Sequence, residues 1–210
     1  MAHALHLSLA ADQGVYHDVP PAPVAEVFAV LAERRMLEHL ANASPAVRRR
    51  GLLALSIDTA IANIFRQVAV HLFEDSVHSC SDDLTPGRIQ ALWLQAKSEL
   101  HGDDVKHGEL FEHWWSFIPH LLRTPGYAVS YAFGQLLALS LQELDNAPRL
   151  IQMLQAGGSA PPAELLPTAG VDPSRPQVWA HGISRVEALI DDFEESANGG
   201  REPARRPRAH

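Results

Sequence analysis

Apolar positions recur at helical spacing along nearly the whole chain. Val27, Phe28, Leu31, Met36, Leu37 and Leu40 fall three and four apart and predict a helix over 24–41. Ile57, Ile61, Ile64, Phe65, Val68 and Leu72 make one stripe on a longer helix, 45–74. Upstream, the apolar run 1–11 predicts a helix from Ala2, and a loop over 12–23 carries the breakers Pro20, Pro21 and Pro23. Thr85 is placed to cap a helix with Pro86 at its first position, running to His101. A further segment covers 107–117 and ends at Pro119. Thr124 and Pro125 repeat the cap-and-proline pattern ahead of a helix reaching Leu144. Short helices follow at 148–156, closed by Gly157 and Gly158, and at 161–166; the last covers 176–195. No segment alternates apolar and polar residues between hairpin turns, so the expected fold is all-α.

Length and composition narrow this picture. At 210 residues, 46% hydrophobic and 20% charged, the chain has the material for one domain with a real core. The body expected to fold is 1–197. The tail 198–210 carries four Arg against one Glu from Arg201 onward, has no large apolar residue and is expected to be disordered. The net charge is −8 and the pI about 5.8, which argues against a nucleic-acid partner, since phosphate contacts need clustered Lys and Arg. No run of about 18 apolar residues is present, so no membrane-spanning helix is expected. The single cysteine, Cys80, excludes an intrachain disulfide and fits a reducing cytoplasm. The first eleven residues lack the basic flank of a signal peptide and carry His3 and His6; they read as the body of a helix whose beginning is missing.

Twelve histidines direct attention to metal and acid–base chemistry. His3 and Glu26 offer a ring nitrogen and a carboxylate, both good zinc donors, on helices joined by one loop. Taken alone, such a pair is more often solvated than metal-bound. Tyr127, Tyr131 and Gly134 share a helix face at i, i+4 and i+7, with His120 just ahead of them between Pro119 and Pro125. Gly134 leaves room there for a ligand or another backbone. The group can donate hydrogen bonds to an oxyanion; by itself it reads more readily as two half-buried tyrosines and a loop histidine. In His113, Trp114, Trp115 and Phe117, adjacent tryptophans cannot face one side of a helix. One is therefore expected in the core and the other on a groove or interface.

Read in order, these features resemble the C-terminal part of the catalytic domain of oligoendopeptidase F-like enzymes. These are zinc metallopeptidases of the thimet oligopeptidase superfamily (peptidase family M3). That family carries His-Glu-x-x-His on one helix and a third ligand, Glu, on the next. Met1-Ala2-His3-Ala4-Leu5-His6 resembles the end of the motif and its continuation, and Val24-Ala25-Glu26-Val27 the segment with the ligand Glu, 23 residues after His3. Glu33 matches a recurring glutamate. Asp58-Thr59, Phe65-Arg66-Gln67 and Phe73-Glu74 with His78 follow the family's long helix. Trp115, Ile118-Pro119-His120, Pro125-Gly126-Tyr127 and Tyr131-Ala132-Phe133-Gly134 follow its substrate-binding segment. Gly157-Gly158-Ser159, Glu164-Leu165-Leu166 and Gly170-Val171-Asp172 follow its closing motif.

The resemblance implies a multi-helix, zincin-like catalytic domain acting on short peptides, with zinc held by two His and one Glu. It implies His3 and Glu26 as metal ligands, and His120, Tyr127 and Tyr131 as residues that bind the peptide and stabilise the tetrahedral oxyanion. The departures matter as much. The motif's first His, a ligand, and its Glu, the general base, align before Met1, as does the upstream half that walls the cleft. Val129 stands where relatives often carry another tyrosine. This chain alone is therefore expected to be inactive, short of a missing N-terminal portion of the same enzyme. An in-frame His-Glu upstream of Met1 would complete His-Glu-Met-Ala-His. The alternative is a non-catalytic helical module that binds peptides or a partner protein through an exposed apolar face. A helical ligand-sensing regulator would want a basic DNA-reading helix-turn-helix, which the acidic body lacks.

Overall fold

In the computed structural model of the protein, residues 1–81, 83–102, 105–141 and 147–198 are described. All of the regular structure among them is helical, with no strand, as the periodicity predicts. The helices are α1 (Ala2–Ala10), α2 (Ala22–Asn42), α3 (Ala46–Ile61), α4 (Gln67–His78), α5 (Pro86–His101), α6 (Pro119–Arg123), α7 (Ala128–Leu141), α8 (Ala147–Gln155), α9 (Pro162–Thr168) and α10 (Pro176–Asn198). A π-helical turn, Ala62–Arg66, joins α3 to α4 without a break. Residues 199–210, most of the expected tail, lie outside the described residues, as do residues 142–146.

The centre of the molecule is the seam of α2 and α7. Val24, Val27 and Phe28 of α2 meet Leu137 and Leu141 of α7, and Met153, Leu154, Leu165 and Leu166 of α8 and α9 close the cluster. α7 is buried on most of its faces, which explains its nearly continuous apolar sequence. A second cluster joins Val70 and Phe73 of α4 to Leu92, Trp93 and Ala96 of α5. The cap on α5 forms as the sequence predicts: Thr85 Oγ1 accepts the Arg88 N–H at 3.3 Å, and Pro86 opens the helix. The loop after α1 is pinned from far downstream. The Gly158 N–H donates to the His17 carbonyl at 2.7 Å, and Gln13 Nε2 donates to the Gln155 carbonyl at 2.9 Å.

Four expectations need correction. The segment 107–117 is helical only as a 3-10 turn, Phe111–Phe117, because Leu110 takes a left-handed backbone with φ of +64° and turns the chain there. Thr124 does not cap a helix at Pro125, and Pro119 opens α6 rather than ending a segment. Gly126, with φ of +79°, makes a turn in which the Tyr127 N–H donates to the Thr124 carbonyl at 3.1 Å, and α7 begins at Ala128. Third, the stripe Ile61, Phe65, Val68 and Leu72 faces outward. The inner side of this long helix is Ala60, Ile64, Ala69, Val70, Phe73 and Glu74. Large residues at helical spacing mark a face, but not which face the neighbours cover. Fourth, the continuous helix Ala46–His78 is long and apolar enough to cross a membrane by length and composition alone, contrary to the composition reading. What makes it part of this bundle is its packing against α2, α5, α7 and α10.

Candidate active site

Glu26 lies in the seam because a glycine faces it. A Cβ added to Gly134 would come within 2.8 Å of the Glu26 carbonyl carbon and Cβ and 3.0 Å of the Val27 nitrogen. Of the two uses open to that glycine, the structure shows backbone approach: α7 runs directly against α2. The Glu26 side chain is 8% exposed, and a carboxylate taken so far out of water needs a hydrogen-bond donor. Tyr127, just ahead of α7, supplies it, donating its hydroxyl to Glu26 Oε1 at 2.5 Å. His3 Nε2 of α1 lies 3.9 Å from the same oxygen and is half exposed.

Tyr131 stands one helical turn beyond Tyr127, with ring centroids 5.3 Å apart and the rings edge to face. His120 of α6 completes the group, 6.0 Å from Tyr127 and 5.8 Å from Tyr131 between ring centroids. The five residues singled out in the sequence, drawn from α1, α2, α6, α7 and the turn before α7, thus share one corner of the molecule. His120, Tyr127 and Tyr131 line an open depression there with Arg123 and Thr124.

The protonation states follow from burial. Burial pushes the Tyr127 phenol far above its ordinary value, and the hydrogen bond to Glu26 and the charges of Glu26 and Tyr131 push the same way. Tyr131 is also raised, by burial first and then by Glu26. Both therefore remain hydroxyl donors at neutral and alkaline pH. Burial lowers His120, an effect partly opposed by the negative charge of Glu74, so its ring is neutral at pH 7. Its Nε2 is buried with no partner among the described residues. His6, one turn from His3, is fully buried edge-on to Phe28 at 5.8 Å and is lowered by burial and then by His3.

Two buried charges were not singled out as site residues. Glu74 accepts the Gly126 N–H at 2.6 Å and so fixes the turn that aims Tyr127. Lys97, 3% exposed, has its ammonium 4.5 Å from the centre of the Trp93 ring. The signal for both was present: each is a charged residue that continues an apolar helix stripe at i+4, Glu74 after Val70 and Lys97 after Trp93.

No family model matches the chain. It is 27% identical to an oligoendopeptidase F homolog of Lactococcus lactis subsp. lactis (strain IL1403), across 91% of this chain and 35% of that protein. The chain is similar to part of oligoendopeptidase F. It is likewise 28% identical to oligopeptidase PepF of Bacillus subtilis (strain 168), across 82% of this chain and 27% of the relative. The crystal structure of oligoendopeptidase-F from Enterococcus faecium superposes with a TM-score of 0.74 at 22% identity, covering 94% of this chain and 38% of that one. The bundle that sets α2 against α7 thus has the fold of a part of oligoendopeptidase F. The chain spans about a third of the length of the curated relatives it matches.

Proposed function

We propose that this chain is the portion of a zinc-dependent oligopeptidase that supplies two metal ligands and the peptide-facing wall, and that alone it has no useful turnover. One observation carries the reading: the convergence of His3, Glu26, His120, Tyr127 and Tyr131 from five separate places in the chain, within a fold shared with relatives named oligoendopeptidases.

The donor pair suits zinc. The 3.9 Å between His3 Nε2 and Glu26 Oε1 lies within the roughly 4 Å that two ligands, each about 2 Å from one ion, can span. Catalytic zinc takes three protein ligands, and no group of three His, Cys, Asp or Glu side chains suited to a metal occurs among the described residues. The third ligand, and the carboxylate that serves as general base, belong in this reading to a portion outside the chain. When bound, zinc supplies polarisation of a water and of the scissile carbonyl.

The chain's own residues divide the remaining work. Tyr127 holds the Glu26 carboxylate, fixing the oxygen nearest His3 in place. Tyr131 has no hydrogen bond among the described residues and keeps its proton, so its hydroxyl is free to meet a developing oxyanion. His120, neutral and with an unpartnered Nε2, can hydrogen-bond the peptide in the depression beside it. The substrates implied are short peptides.

The test has two arms. Purified chain with zinc and a quenched fluorescent peptide should give no chelator-sensitive cleavage; turnover at ordinary enzyme rates overturns the division of the site. The chain completed upstream with His-Glu and the missing portion should cleave. In that enzyme Tyr131→Phe should cut kcat by roughly 10²–10³ with little change in KM or Tm. An unmoved kcat removes Tyr131 from the machinery. A second reading, a non-catalytic module that binds a partner protein, draws on the outward stripe Ile61, Phe65, Val68 and Leu72.

A further inference from the structure

On the far side of His120 lies a cavity of about 730 Å³, within the range of small-ligand pockets. Its walls are aromatic and aliphatic: Trp93, Phe111, Trp114, Phe117 and Ile118. Lys97 lines it, is 3% exposed, and among the described residues has no ion pair or hydrogen bond; its ammonium lies over the face of Trp93. Arg66, His101 and His120 also line the cavity, and no Asp or Glu does among the described residues. Among the described residues, His101 Nδ1 and His120 Nε2 are buried without partners as well.

Gln67 adds an amide whose Oε1 is buried without a partner among the described residues; a mainly apolar chamber whose charged groups, among the described residues, are all cationic is complementary to an anion carried on an apolar body. A buried ammonium held by cation–π contact alone lacks the counter-charge that buried charges ordinarily find. A carboxylate matches that deficit, and the aromatic walls match an aromatic or branched side chain beside it. The C-terminal residue of a peptide presents both groups one carbon apart. Pro119 and His120 wall this cavity and also the depression holding Tyr127 and Tyr131, so a peptide anchored here continues toward the candidate active site.

We propose that the Lys97 cavity binds the C-terminal residue of a short peptide, its carboxylate paired with the Lys97 ammonium and its apolar side chain among Trp93, Phe111, Trp114 and Phe117. The carboxylate site stands on the cavity alone, whereas the peptide as ligand rests on the proposed function.

Binding to the chain as it exists, with no zinc and no turnover, tests this separately from catalysis. Calorimetry and tryptophan fluorescence would compare N-acetyl-phenylalanine, N-acetyl-phenylalaninamide, 3-phenylpropionate and a peptide of four residues ending in Phe. The acid should bind at least tenfold more tightly than its amide, and Lys97→Met, checked by its circular dichroism melt, should abolish that difference. The peptide should bind at least as tightly as N-acetyl-phenylalanine. Equal affinity for acid and amide, or undiminished binding of the acid by a folded Lys97→Met chain, overturns the site, as does no binding by any probe. Should Lys97→Met fail to fold, Phe117→Ala on the exposed wall substitutes: it should weaken the acid and the amide alike, and unchanged affinity for both overturns the aromatic seat. Binding of 3-phenylpropionate with none of the tetrapeptide would leave a small-carboxylate site and overturn the peptide end. Tight peptide binding alongside an inactive completed enzyme would sink the catalytic reading and leave this one standing.

Discussion

The seam between α2 and α7 and the cavity beside α5 each take a charged side chain out of water, and they treat it differently. In the seam, Glu26 is held by the Tyr127 hydroxyl at 2.5 Å, and Gly134 lets the backbones approach until no room is left for a Cβ. Beside α5, Lys97 faces an aromatic ring and a void, with no carboxylate at hand among the described residues. Here a burial penalty met locally marks a part that is already assembled. The one left unmet is where the proposed carboxylate would bind.

Truncation should separate the two regions most sharply. Leu137 has no exposed surface in the seam, so Leu137→Ala should cost about 2–5 kcal/mol. Phe117 on the cavity wall is 79% exposed, and Phe117→Ala should shift stability by no more than about 0.5 kcal/mol. Urea melts of the two variants measure the difference; similar losses would mean that the cavity wall is packed as firmly as the seam.

Gly134→Ala asks whether the seam can give. The added methyl meets backbone atoms of Glu26 and Val27, which cannot swing aside as a long side chain would. A loss of about 1–3 kcal/mol is expected from overpacking, even though alanine is the better helix former. A stable Gly134→Ala chain would show that α2 and α7 slide apart cheaply.

Lys97 should behave in the opposite sense. Burial, with Arg66 adding repulsion, lowers its ammonium to about 8. The unfolded chain, with an ordinary lysine, stays protonated to about pH 10.4. Between those values the unfolded state binds the extra proton, so the wild-type chain gains stability as pH rises from about 8 to about 10.4. Lys97→Met should therefore be the more stable form at pH 7, by about 1–3 kcal/mol, and the advantage should fade across that window. Thermal melts at pH 7 and pH 10 read it directly; a destabilised Lys97→Met at pH 7 would point to an anionic partner already in place.

How much of this was legible in the sequence depends on the kind of information each residue carries. The helices were readable wherever a local rule fixed them: Thr85 and Pro86 start α5, and Gly157 and Gly158 close α8. The turn at Gly126 was not, because Thr124-Pro125 makes an equally good local start and the deciding contact, Glu74 to the Gly126 N–H, spans 52 positions. The stripe Ile61, Phe65, Val68 and Leu72 misled for a related reason: periodicity gives a face, and only the neighbours decide whether it is covered. The site residues could be nominated because they resemble ordered motifs of a family. Their 2.5 Å and 3.9 Å spacings depend on Gly134, which the sequence left open between a ligand and a backbone.

The clasp at Gly158 imposes an order of events on the chain as it leaves the ribosome. The loop after α1 is fastened by the Gly158 amide and the Gln155 carbonyl, so this fastening closes only once some 130 residues after Glu26 have been synthesised, whereas the packing of α1 on α2, His6 against Phe28, needs none of them. At about 5–20 residues per second, that interval is on the order of ten seconds. Throughout it the two candidate ligands are related only by the packing of α1 on α2. The loop between the two ligand helices is thus locked late, from a distant part of the chain back to its first turns.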